Sequence, residues 1–323
     1  MNGTLEKQSK GAIAEGSKSF ALASLLFRPG MRRHAHMLYA WCRYCDDVID
    51  GQNLGFGETV AAGRQDHPEA DDLETLHREL EAALTGGQPK SWQFEAFQTV
   101  ALETGMPAQH AYDLLRGFEM DVQQHSYDTL EDTLRYSYHV AGVVGVMMAI
   151  VMGVDPHDDN TLDRASDLGI AFQLTNIARD VIDDAAIGRV YLPGDWLEEA
   201  GVRAHPRDVL DERNREAVWE VAQRLLAEAD KYYASSGPGV RRLPIRAGFA
   251  VAAARRVYRD IGRVVRVKGP RVWDKRARTS RRRKLALAGL GCLQGASSKS
   301  LSFMALPPRA DLWKRPMTEG LPS

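Results

Sequence analysis

Helical periodicity runs through most of this 323-residue chain, and almost nothing in it reads as strand. Apolar positions recur at helical spacing, among Ala, Leu, Glu, Arg and Gln, over 31–50, 71–85, 92–104, 108–124, 129–153, 159–186, 213–236 and 245–267. Breaks fall between them at Gly51 to Pro68, Gly86-Gly87-Gln88-Pro89, Gly105-Met106-Pro107, Asp155-Pro156 and Ser235-Ser236-Gly237-Pro238-Gly239. Short gaps between long amphipathic segments fold as a packed helical array, so the expectation is an all-α chain. A single domain is expected over 1–295. The tail 296–323 carries Ser, Pro and Arg with little periodicity; it is expected to be irregular and to take no part in the core.

Composition narrows the class. Apolar residues make up 44% and charged residues 26%, which suits a globular protein with a substantial core. A formal net charge of −1 recommends no nucleic-acid partner. Three cysteines cannot make a disulfide framework, which favours a reducing, cytoplasmic setting. Cys42 and Cys45 have no second pair to complete a zinc site and are expected to be small buried residues. The N-terminus has no apolar signal-peptide core. The longest apolar run, Val140 to Val154, is shorter than the roughly 20 residues of a membrane span and reads as a core helix. Within it, Gly142 and Gly145 would let a neighbouring helix approach closely. His34, His36 and His139 read as surface or satisfied core groups.

Two acidic clusters stand out against this frame. In the first helix Tyr39, Arg43, Asp46, Asp47 and Asp50 follow one another at spacings of four, three, one and three, a single broad stripe. In the second, Gln173, Asn176, Asp180 and Asp184 recur at three, four and four, while Phe172, Leu174, Ile177, Ala178, Val181 and Ile182 cover most of the remaining circumference with apolar groups. A helix so apolar is buried, and a buried carboxylate is costly unless it is paired or binds metal. Two such stripes suit Mg²⁺ or a similar hard cation, which one or two carboxylates share with substrate phosphate oxygens. Arg179 and Arg189 offer guanidinium forks for the same oxygens. Cations that neutralise a diphosphate stabilise its departure, and the allylic cation left behind needs an aromatic, water-excluding cavity. Isoprenoid diphosphate chemistry fits, and several enzyme classes share this logic.

Ordered motifs separate those classes. Ser17-Lys18-Ser19-Phe20 is followed by Tyr39-Ala-Trp-Cys-Arg43-x-x-Asp46-Asp47-x-x-Asp50 and by Tyr136-x-Tyr138-x-Val-Ala-Gly142-x-x-Gly145. Gln173-Leu-Thr-Asn176-Ile-x-Arg179-Asp180-x-x-x-Asp184 comes next, then Gly188-Arg189-Val-Tyr191-Leu-Pro193, Tyr258-Arg-Asp-Ile-Gly262 and a closing LWKRP. From about residue 10 to 290 the sequence resembles the squalene/phytoene synthase family. The resemblance implies an all-α isoprenoid synthase bundle with a central cavity between two aspartate-rich helices. Asp46 and Asp50 would hold Mg²⁺ or Mn²⁺ from one wall, and Asn176, Asp180 and Asp184 from the other, with Gln173 beside them. Ser17, Ser19, Arg43, Arg179, Arg189 and Arg276 would contact diphosphate. Phe20, Tyr39, Tyr138, Tyr191 and Tyr258 would line the cavity or stabilise cationic intermediates.

The implied reaction joins two geranylgeranyl diphosphates head to head, through prephytoene diphosphate, to phytoene, the first committed step of carotenoid formation. No NADPH is expected, because no dinucleotide-binding glycine pattern follows a strand. A head-to-tail elongase would carry Arg-Arg-Gly after its first acidic motif, whereas Asp50 is followed by Gly51-Gln52-Asn53. The alternatives are a dehydrosqualene or squalene-type synthase using farnesyl diphosphate, and a non-catalytic helical assembly factor; the intact aspartates speak against the latter. The polar 51–70 stretch is either a surface loop or a flap over the site. The product's hydrophobicity and the Arg281-Arg282-Arg283-Lys284 run suggest peripheral contact with a membrane.

Overall fold

The computed structural model describes residues 2–50, 68–274, 306–309 and 311–316. Among these there are thirteen α-helices and no strand: α1 (Asn2–Gly16), α2 (Lys18–Ser24), α3 (Pro29–Asp50), α4 (Pro68–Leu84), α5 (Trp92–Thr104), α6 (Ala108–Val122), α7 (Leu130–Ser137), α8 (Val143–Val151), α9 (Asp159–Ala186), α10 (Gly194–Glu199), α11 (Pro206–Val209), α12 (Arg215–Val240) and α13 (Ile245–Lys268). A π-helical turn, Tyr138–Gly142, joins α7 to α8. The helices group into two compact units, one of residues 1–123, 146–159 and 316–323, the other of 124–145 and 160–315.

In the first unit α3 supplies the core. Trp41 is fully buried, stacked on Phe97 at 4.0 Å between centroids and edge-on to Phe94 at 6.0 Å. Aromatic side chains buried in this way each remove about 150–250 Å² from water. Helix α1 packs on α3 through Leu5, Ser9 and Ile13, one buried residue per turn. With Leu5 and Ile13 its only large apolar residues, the segment lacks a readable hydrophobic period and is not among the expected helices. Helix α5 stops where Gly105 turns left-handed at φ 65°, its N–H returning to the Ala101 carbonyl. The free cysteines behave as expected: Cys45 is buried, Cys42 is partly so, and burial pushes both thiols up.

In the second unit α7 opens with a reciprocal cap between Thr129 and Asp132. The helical run Leu130–Val151 is long and apolar enough to cross a membrane, yet 67% of its most apolar window is buried inside the protein. Glycines explain how this run meets α9. A Cβ at Gly145 would lie 2.4 Å from the Ala165 carbonyl oxygen, and one at Gly169 would lie 2.2 Å from that of Ala141. Backbone touches backbone there, which only glycine allows.

Helix α12 continues through Ser235 to Gly239, which read as a break, with Pro238 inside its last turn. Just before it the Tyr233 carbonyl takes side-chain donors, from Ser236 Oγ at 2.9 Å and from Arg255 Nε at 3.0 Å, which tie this end of α12 to α13. Gly239 lies against the Arg164 side chain, where a Cβ would come within 2.7 Å of its own.

The largest correction concerns the tail. Residues 306–309 and 311–316 carry no helix, but all up to Arg315 pack into the second unit. Arg309 donates to Asp167 through Nε at 3.0 Å and through a terminal nitrogen, and Arg315 Nε reaches Asp163 at 2.7 Å. Trp313 rests its ring on Tyr138 at 5.3 Å. A fully buried carboxylate needs a countercharge; Asp167 is fully buried, and Arg309 supplies it.

Candidate active site

The first acidic stripe lies in the first unit, on the last turns of α3. Arg43 is held between Asp46 at 2.7 Å and Asp47 at 2.8 Å, so a guanidinium expected to face diphosphate is clasped by its own helix. Asp47 is the more buried of the two carboxylates. Tyr39, one turn earlier, sets its hydroxyl over Gly16, where a Cβ would come within 2.5 Å, and meets the Phe20 ring edge-on at 5.7 Å. Burial raises the Tyr39 phenol above its ordinary range, and the Asp46 and Asp47 charges push it the same way. Ser17 Oγ accepts from the Phe20 N–H at 3.4 Å, capping α2. This part of the chain therefore brings Ser17, Phe20, Tyr39, Arg43 and Asp46 into one neighbourhood.

The second stripe lies on α9. Arg179 Nε donates to Asp180 at 2.8 Å, a terminal nitrogen of the same fork reaches its other oxygen, and Asp180 is nearly buried. Burial pushes the Asp184 carboxyl up to about 8, with the Asp180 charge adding to the shift and Arg189 and Arg179 opposing it. Two acidic groups on successive turns of one helix, mostly out of water, are an unfavourable arrangement without a cation. Asn176, one turn before Asp180, donates through Nδ2 to Gln173 at 3.4 Å, while its buried Oδ1 has no hydrogen-bond partner. A buried carbonyl oxygen without a donor, in line with two carboxylates, is the oxygen-rich ligand set a hard divalent cation takes. The residues on α9 fit such an ion. Among the described residues no three His, Cys, Asp or Glu side chains form a metal-sized cluster by themselves, so the fit rests on the amide together with the two carboxylates.

Past α9 the chain doubles back at Gly188, whose φ is 88°, and the Arg189 N–H bonds the Asp184 carbonyl at 2.9 Å. That left-handed glycine brings Arg189 back toward Asp184. Tyr191 is fixed by a stack on Tyr136 (4.7 Å, 14° between planes), by the Tyr127 ring at 5.3 Å and by Thr133 Oγ1, which donates to its carbonyl at 3.0 Å. A small cavity is lined by Ile177, Val181, Asp184, Arg189 and Tyr191. Tyr258 stacks on Phe172 at 4.1 Å. Tyr138 is fully buried, against His139 and Trp313. The side chains of Ser19 and Asp50, together with Arg276, residues 281–284 and residues 51–67 of the expected loop or flap, lie outside the described residues.

A squalene/phytoene synthase family profile matches residues 13–283. The chain belongs to the squalene/phytoene synthase family. Within that family it is 50% identical over 305 residues to the phytoene synthase of Pseudescherichia vulneris, covering 94% of this chain and 96% of that one. It is 47% identical over 319 residues to the 15-cis-phytoene synthase of Pantoea ananas, covering 98% and 99%. Among solved structures, a dehydrosqualene synthase in complex with ligand superposes with a TM-score of 0.78 at 26% identity, over 92% of this chain and 98% of that one.

Sequence reasoning missed Tyr127 and Thr133, which brace Tyr191, and Arg309; it named Phe172 only as apolar packing, and Trp313 and Arg315 only within the closing LWKRP, without a role for any of them. Large residues such as Trp313 and Arg315 in an otherwise polar tail were the available signal. The histidines are satisfied core or surface groups: His36 Nε2 pairs with Ser24 Oγ and His34 Nε2 with Glu103, each at 2.8 Å.

Proposed function

We propose that this chain joins two geranylgeranyl diphosphates head to head, through prephytoene diphosphate, to phytoene, without NADPH, as the first committed step of carotenoid synthesis. The observation that carries the reading is half identity to a phytoene synthase along nearly the whole chain, with the α9 stripe intact. Asn176, Asp180 and Asp184, together with Asp46 and Asp50, are the residues that would hold Mg²⁺ or Mn²⁺. Such ions, when bound, supply positive charge against the diphosphate leaving group. Arg43, Arg179, Arg189, Ser17, Ser19 and Arg276 orient the diphosphates by charge-assisted hydrogen bonds. Phe20, Tyr39, Tyr138, Tyr191 and Tyr258 exclude water and offer π-faces to cationic carbon.

The test is an assay of purified protein with Mg²⁺ and no NADPH, offered geranylgeranyl or farnesyl diphosphate separately, with Asp46→Ala and Asp180→Ala alongside. Phytoene from the longer substrate, lost in both variants, is the expected result. A C30 product from the shorter one alone overturns the substrate assignment, and no turnover of either overturns the function. We further propose a cytoplasmic protein that touches membranes peripherally; exposed Leu22 of α2 and Leu25 at its C-cap support this reading. Failure to co-sediment with anionic vesicles at low salt would refute it.

A further inference from the structure

Asp163 and Asp167 belong to the ligand helix α9 but not to its ligand stripe. Nine residues separate Asp167 from Asn176, and at about 100° per residue that places them on opposite faces. Asp167 is fully buried, receives the Arg309 fork and a Ser235 hydroxyl, and has no part in the reaction described above. Asp163 takes Arg315, itself buried. Between these two anchors the Trp313 N–H donates to Tyr232 Oη of α12 at 3.2 Å, Arg309 donates to the Trp313 carbonyl at 2.7 Å, and the indole covers Tyr138 of the π-helical turn. Arg164 of α9 closes the circuit by donating to the Pro307 carbonyl and, at 2.8 Å, to that of Ser235. One irregular segment thus grips α12, the π-helical turn and, from the face opposite its ligand stripe, α9.

We propose that the described residues 306–309 and 311–315 are a positioning strap, with Trp313 its principal positioning residue, that sets how α9 presents Asn176, Asp180 and Asp184 and where Tyr138 stands. The inference rests on the phytoene-forming reading for its kinetic readout, but not for its structural one. A misplacement of about 1 Å at a reacting centre lowers the rate by about a hundredfold. Small displacements of α9 therefore act on kcat before they act on folding.

The experiment uses the full-length chain with Trp313→Ala, Trp313→Phe and, should the alanine variant fail to fold, Trp313→Leu. With Trp313→Ala folded by circular dichroism, kcat is expected to fall about tenfold or more while KM for geranylgeranyl diphosphate shifts by less than about threefold. The Mg²⁺ concentration for half-activation is expected to rise. Trp313→Phe, which keeps a ring on Tyr138, is expected to restore most of kcat. Amide exchange supplies a readout independent of turnover: protection in α9 and in 138–142 is expected to drop about tenfold in the alanine variant. Unchanged kcat and Mg²⁺ response, or lost protection confined to 306–316, overturns the strap. If the wild type turns over neither diphosphate, the functional reading fails and the exchange result alone decides the strap.

Discussion

Gly169→Ala sets geometry against propensity. Alanine is favoured over glycine inside a helix by about 0.8–1.0 kcal/mol, so a reading of α9 by local preference expects the substitution to stabilise. The structure expects the reverse. The added Cβ would lie 2.2 Å from the Ala141 oxygen, 2.6 Å from its carbonyl carbon and 2.7 Å from the Gly142 Cα. All three are backbone atoms, so no rotamer change relieves them; the π-helical turn and α9 must separate by about 1 Å. Overpacking of this kind costs about 1–3 kcal/mol, and contact with backbone on the facing helix puts this case at the upper end. After subtracting the propensity gain, a net loss of about 2 kcal/mol remains. Gly11, on the exposed face of α1, has nothing within 4 Å of its would-be Cβ, so Gly11→Ala is expected to gain about 0.5–1 kcal/mol. Urea unfolding of both variants and the wild type, with unchanged m-values, reads the difference as stability. Gly169→Ala as stable as the wild type, or more so, would refute the close-packed crossing.

Three further outcomes are expected. Asn176→Leu removes an unpartnered buried oxygen, so in EDTA it should match or exceed wild-type stability by up to about 2 kcal/mol while losing activity at limiting Mg²⁺; a less stable variant would contradict the orphaned amide. Burial lowers the His36 imidazole below its usual range, with the Arg32 and Lys10 charges adding to it. The unfolded chain therefore takes up this proton first, and stability falls as pH drops through about 6.5 toward the lowered folded value; His36→Gln, which can keep the bond to Ser24, should flatten that limb in thermal melts between pH 7 and 5. Thr129→Ala removes the α7 cap and should cost about 1 kcal/mol by the same unfolding assay, with no loss indicating that the capping box contributes nothing.

Long helices with full apolar stripes were legible, and the starts and ends of α5 and α9 agree with their punctuation. Helix α1 was not, because a stripe of Leu5, Ser9 and Ile13 has too few apolar residues to show a period. The Ser235–Gly239 stretch misled because propensity weighs Gly and Pro locally, whereas packing on Arg164 and a carbonyl satisfied by Arg255 lie far away in sequence. On α9 the shared face of Asn176, Asp180 and Asp184 was readable, since that alignment is the helix's own. The Asp163 and Asp167 anchors were not, because their partners stand more than a hundred residues downstream in a segment without regular structure.

The π-helical turn carries a consequence of its own for lineages of this chain. It holds one residue more than an α-turn would, so the helix beyond it is rotated by about 100° relative to an uninterrupted α-helix. A one-residue deletion among His139, Val140 and Ala141 could leave a continuous α-helix with every backbone bond made. It would nevertheless swing Tyr138 and the α9-facing glycines onto different faces. Single insertions and deletions, usually tolerated only in loops, here have a site inside a buried helix where they would redirect side chains without breaking the fold's hydrogen bonding.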